Sequence, residues 1–66
     1  MPLVEITMVE GRTPQQLRAL LSEVHEAVVR AVQAPPESVR VLVREIPATH
    51  WQAGGTTIAE RRGGTQ

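Results

Sequence analysis

Hydrophobic and polar residues alternate from position 3 to position 9, with Val4, Ile6 and Met8 on one face and Leu3, Glu5, Thr7 and Val9 on the other. A period of two predicts a β-strand. Gly11 breaks the alternation. Thr13-Pro14-Gln15-Gln16 then supplies an N-capping threonine, a proline at the first helical position and a glutamine three residues past the cap. Leu17, Leu20, Leu21, Val24, Val28 and Val32 follow at helical spacing, leaving Arg18, Glu23, Glu26 and Arg30 for solvent. The helix so predicted is ended by Pro35-Pro36. Val39 to Ile46 alternates again and predicts a second strand, with Val39, Val41 and Val43 on one face and Arg40, Leu42 and Arg44 on the other. Beyond Pro47, residues 48–55 read as turn and loop, 56–62 as a hairpin arm or a helical turn, and 63–66 as a frayed tail.

Strand, helix, strand makes an α/β fold. The predicted architecture is a single β-α-β unit in which the helix carries the chain, right-handed, between two parallel strands, followed by the C-terminal hairpin or short helical arm. No repeat or internal boundary divides residues 1–66, which are read as one domain. One helix covers only one face of a two-stranded sheet, and Leu3, Val9, Leu42 and Ile46 fall partly on the other. A chain of 66 residues also buries too little apolar surface to be comfortably stable alone. Cysteine is absent, which excludes disulfides and thiolate metal sites, and His25 and His50 are too few for a zinc cage without carboxylates. Oligomerisation is the remaining source of stability, with partner subunits expected on the bare face.

Charge narrows the partners. Seven basic residues balance seven acids, so no net positive field points to nucleic acid or to an anionic membrane. No apolar run approaches a membrane span, and no signal-peptide pattern is visible, so the chain is expected in the cytoplasm. Gly54-Gly55 lacks phosphate-cradle spacing and is assigned to a turn.

The candidate chemistry begins at the N-terminus. Removal of Met1, usual ahead of a small residue, leaves Pro2 as a rigid secondary amine directly before the first strand. An α-amino group titrates near pH 8, so modest burial or a nearby cation would hold it unprotonated and ready to accept a proton from carbon. The plain alternative is that Pro2 only starts an edge strand. All seven cations are arginine, so that amine is the chain's only aliphatic one, while guanidinium groups suit carboxylates; base composition of the genome explains the bias equally simply. A parallel pair allows Arg40 near Pro2, within one subunit or across an interface, and leaves Arg12 at the far end, each otherwise a solvated charge. Trp51, the only Phe, Tyr or Trp in the chain, serves either as an anchor for the C-terminal segment or as an apolar wall that desolvates the amine. His25 and His50 are given no role.

Several of these features together resemble one family. Pro2 opens the first strand, Glu10-Gly11-Arg12 closes it, Pro36-Glu37-Ser38-Val39-Arg40-Val41 enters the second, and Trp51 precedes Gly54-Gly55. In this the chain resembles the 4-oxalocrotonate tautomerases, the short-chain subgroup of the tautomerase superfamily, from Pro2 to about Arg62. The resemblance implies a homohexamer of β-α-β subunits, a trimer of dimers, with sites shared between subunits and no cofactor or metal. It implies Pro2 as the general base acting on an unsaturated 2-hydroxy or 2-oxo acid such as 2-hydroxymuconate. Arg12 would bind a substrate carboxylate. Arg40 would grip the 2-oxo end and stabilise the developing dienolate. Trp51 would keep the pocket apolar.

Gln52-Ala53 departs from the glycine and branched aliphatic residue common in the family at that place, so the family does not specify the substrate, and both aromatic degradation and natural-product pathways fit. Related haloacrylate dehalogenases add water with a further first-strand arginine and a loop glutamate, where this chain has Val9 and Ala53. A non-catalytic oligomeric binder of small organic acids is the remaining alternative.

Overall fold

A computed structural model describes residues 1–63. Strand β1 (Leu3–Val9), helix α1 (Pro14–Val32) and strand β2 (Arg40–Ile46) form the β-α-β unit. A 3₁₀ turn at Ala48–His50 then leads into β3 (Gln52–Ala53), β4 (Thr56–Thr57) and α2 (Ile58–Gly63). β1 and β2 are parallel over all seven rungs, from Leu3 opposite Arg40 to Val9 opposite Ile46. The ladder runs one bond further at each end. Arg40 N–H donates to the Pro2 carbonyl at 3.0 Å, and Glu10 N–H donates to the Ile46 carbonyl at 2.9 Å.

The start of α1 follows the sequence pattern closely. The Thr13 hydroxyl accepts from Gln16 N–H at 3.1 Å while the Gln16 side chain accepts from Thr13 N–H at 2.9 Å, a complete capping box with Pro14 in the first turn. The helix stops at Val32 rather than at the prolines, because Gln33 takes the left-handed conformation at φ 55°. Val32 belongs to the apolar stripe yet is 62% exposed. Nineteen helical residues span about 28 Å and seven strand residues about 23 Å, so the last turn of α1 has little sheet beneath it.

β2 begins at Arg40, one residue later than the alternation suggests. Pro36–Ser38 forms a 3₁₀ turn, closed by Val39 N–H donating to the Pro36 carbonyl at 3.3 Å, and Val39 turns inward to 8% exposure. Proline at 35 and 36 favours this turn by presetting φ, and both the N–H and the hydroxyl of Ser38 donate to the Pro35 carbonyl, at 2.9 and 2.7 Å.

The C-terminal arm is both things that the polar stretch allowed. Gly54 and Gly55, at φ 61° and 85°, form the two-residue turn of an antiparallel β3–β4 hairpin, and a short helix follows. Gly63 is the last residue of α2, not part of a frayed end; the remainder of that expected tail, 64–66, lies outside the described residues.

Among the described residues the hydrophobic core consists of Ala34 and Val39, each 8% exposed. Val4, Ile6, Met8, Val41 and Val43 are half-buried on one face of the sheet, with α1 lying over β2. On the opposite face Leu3 is 57% and Leu42 53% exposed. The radius of gyration, 15.4 Å, far exceeds the roughly 11 Å of a compact chain of this length. A chain so open covers little of its own apolar surface. Its thermal midpoint is expected to rise by several degrees for each tenfold increase in protein concentration. A midpoint independent of concentration at monomer mass would contradict this.

Candidate active site

Pro2 is half-buried at the mouth of the parallel ladder, its carbonyl fixed by Arg40 N–H. Met1 is 89% exposed. While Met1 is attached, the Pro2 nitrogen is a peptide nitrogen without basicity; once Met1 is removed it becomes a secondary amine anchored one bond from the first rung.

Arg40 stands on that rung. Its Nη1 donates to the carbonyls of Glu37, at 2.9 Å, and Val39, at 3.3 Å. The 3₁₀ turn thus does two jobs, starting β2 in register with β1 and supplying an oxygen that holds the guanidinium. A guanidinium has five N–H donors, so one nitrogen engaged with the backbone leaves others for a carboxylate or a developing oxyanion. The expected proximity of Arg40 to Pro2 within one subunit is therefore present through the backbone.

Arg12 and Trp51 stand elsewhere. Gly11, at φ 135°, turns the chain off β1, and the exposed Arg12 follows immediately before the Thr13 cap. With β1 about 23 Å long, Arg12 lies at the opposite end of the sheet from Pro2. Trp51 comes after the 3₁₀ turn that follows β2, so it shares the Arg12 end. Within one chain the order of elements separates Trp51 from Pro2 by the length of β2. The candidate residues therefore fall in two pairs, Pro2 with Arg40 and, past the other end of the ladder, Arg12 with Trp51.

Trp51 is half-buried and sits in a well-braced arm. Its carbonyl accepts from Ile58 N–H at 2.9 Å. The Thr57 hydroxyl accepts from Glu60 N–H at 3.1 Å and the Glu60 carboxylate accepts from Thr57 N–H at 2.8 Å, a second capping box. Arg61 Nη2 donates back to the Ala53 carbonyl at 3.0 Å, tying α2 to the hairpin. The sequence reading missed these supports, although Thr-x-x-Glu at 57–60 is the same signature that located the start of α1. His25 lines a groove between α1 and β2 together with Arg18 and Val41, and His50 is exposed, so neither joins these pairs. Among the described residues no group of three metal-ligating side chains is close enough to hold an ion.

Comparison with known proteins adds the chemistry of relatives. The family model for tautomerase enzymes matches residues 2–61. The 2-hydroxymuconate tautomerase of Pseudomonas sp. strain CF600 is 39% identical over 62 residues, covering 94% of this chain and 98% of that protein. Among solved structures, TomN, a 4-oxalocrotonate tautomerase homologue of the tomaymycin biosynthetic pathway, aligns with a TM-score of 0.90 at 42% identity, over 94% of this chain and 95% of the other. A heterohexamer 4-oxalocrotonate tautomerase from Chloroflexus aurantiacus J-10-fl aligns at 0.86 and 40%, over 91% and 97%.

Tryptophan emission comes from Trp51 alone, which makes the arm easy to follow. Thr57→Ala removes one half of the second capping box and is expected to destabilise the arm by about 1 kcal/mol. Trp51 emission should shift to the red and lose anisotropy, while circular dichroism from α1 stays unchanged. An unaltered spectrum would show that the box does not hold the ring.

Proposed function

The chain belongs to the tautomerase family and is an isomerase, and we propose that it is a cofactor-independent enol–keto tautomerase acting on an unsaturated 2-hydroxy or 2-oxo acid such as 2-hydroxymuconate. The observation that carries the mechanism is the hydrogen bond from Arg40 N–H to the Pro2 carbonyl, beside the Leu3–Arg40 rung. Freed of Met1, the Pro2 amine accepts the 2-hydroxyl proton of the dienol as the O–H bond breaks. The electron pair moves through the conjugated system, and the same proton is returned to a distant carbon as the C–H bond forms. Nothing is oxidised or reduced, and no atom is gained or lost.

Arg40 faces the charge that develops at the 2-oxygen and its neighbouring carboxylate. Because its guanidinium is already held by backbone carbonyls, little reorganisation is required when that charge appears. Arg12 holds the distant carboxylate and Trp51 supplies the apolar wall that favours the neutral amine. Since one chain keeps these pairs at opposite ends, we assign the complete site to neighbouring subunits of a homohexamer, a trimer of dimers, in the cytoplasm. The bare sheet face and the low internal burial support that assembly. Val9 and Ala53 provide neither the arginine nor the glutamate that would favour the water-adding alternative.

Ketonisation of 2-hydroxymuconate, followed by ultraviolet absorbance, tests the reading with protein verified by intact mass to begin at Pro2. Pro2→Ala is expected to lower turnover by about a hundredfold or more, with assembly intact. Retained Met1 should abolish turnover, and full activity of such protein would end the mechanism. Arg40→Ala should lower kcat by about a hundredfold, whereas Arg12→Ala should chiefly raise KM. Comparable losses in both parameters for both variants would refute this division of roles.

A further inference from the structure

The guanidinium of Arg40 is tethered through a chain of hydrogen bonds whose other end is a serine. Its Nη1 donates to the Glu37 carbonyl at 2.9 Å and to the Val39 carbonyl at 3.3 Å, which takes both hydrogens of that nitrogen. Nε and Nη2 remain. They share one edge of the guanidinium and form the pair of parallel donors that a carboxylate accepts in two bonds. Where that edge points depends on where the Glu37 and Val39 carbonyls stand, and Ser38 lies between those two residues.

Ser38 is half-buried, and its hydroxyl donates to the Pro35 carbonyl at 2.7 Å beside its own N–H at 2.9 Å. Pro35 and Pro36 have no N–H to contribute, so the turn is closed by the two donors of Ser38 and by the longer bond from Val39 N–H to the Pro36 carbonyl, at 3.3 Å. We infer that Ser38 is a positioning residue for Arg40: its hydroxyl, bound to the Pro35 carbonyl, fixes the peptide units that occupy Nη1 and so aims the Nε–Nη2 edge at the 2-oxo acid end of the substrate. The substrate named here rests on the tautomerase reading above, whereas the tether does not depend on it. Ser38 touches no reacting atom and acts through Arg40 alone. A small error of aim is costly, because donors stabilise an oxyanion only where its charge develops.

A double-mutant cycle distinguishes this role from general support of the fold. Ser38→Ala, with folding checked by circular dichroism and assembly by native mass spectrometry, is expected to lower kcat by about tenfold and to change KM far less. In an Arg40→Ala background the same substitution should cost nothing further, since the group it aims is gone. Ser38→Thr keeps the donor and should recover most of the loss. Equal costs with and without the Arg40 guanidinium overturn the inference, as does a loss confined to KM or one that threonine does not recover. Nitrogen-15 NMR of the arginine side chains reads the tether without turnover. Rotation about the Nε–Cζ bond of Arg40, whose signal is identified by its absence from Arg40→Lys, should accelerate in Ser38→Ala and slow again in Ser38→Thr. Unchanged rotation overturns the inference, and so does a Ser38→Ala chain that fails to fold or assemble while Ser38→Thr does the same. A parent without turnover, whose Arg40 rotation nonetheless follows the Ser38 hydroxyl, upholds the tether and counts against the proposed chemistry.

Discussion

The parallel pairing of β1 with β2 is the constraint on which the remaining structure depends. Parallel strands bring like ends together, so the bond from Arg40 N–H to the Pro2 carbonyl places the N-terminus beside the start of the second strand. The same geometry requires a long crossover, which α1 provides, and consigns the chain after β1 and the chain after β2 to the other end. Arg12 and Trp51 therefore share that end without any contact being needed to draw them there.

This arrangement links stability to function. A two-stranded sheet with one helix buries one face at best, and here the described residues that fall below a tenth exposed are Ala34 and Val39. A monomer of this shape has the elements of a fold but not the burial that normally sustains one. Its candidate residues are likewise divided between two ends. In the proposed assembly both deficits are met by the same contacts, so association supplies the hydrophobic burial and the second half of each pocket together.

Rigidity is distributed accordingly. Proline, a left-handed Gln33 and the Ser38 hydroxyl secure the turn that carries Arg40, and a capping box with the Arg61 bond secures the arm that carries Trp51. Both supports are local hydrogen-bond devices worth about 1 kcal/mol apiece, formed within a single chain. Placing functional side chains on such preorganised pieces reduces what must be ordered on assembly.

Read by itself, the sequence determined the elements that depend on neighbours a few residues apart. The strand at 3–9, the Thr13 cap, the glycine turn and the helical stripe all follow from short-range sterics and hydrogen bonding, and Pro2, Arg12, Arg40 and Trp51 were singled out from residue type and their resemblance to a family. Local rules misjudged Val39, because alternation does not reveal that two prolines and a serine would spend it on a 3₁₀ turn, and they left the arm between hairpin and helix, which it combines. Tertiary structure alone decided the register that bonds Arg40 to the Pro2 carbonyl and brings Glu5, Leu42 and Arg44 together on an open face. Those placements follow from the register of a parallel ladder, an interaction between residues 37 apart whose free energy no short window of sequence contains.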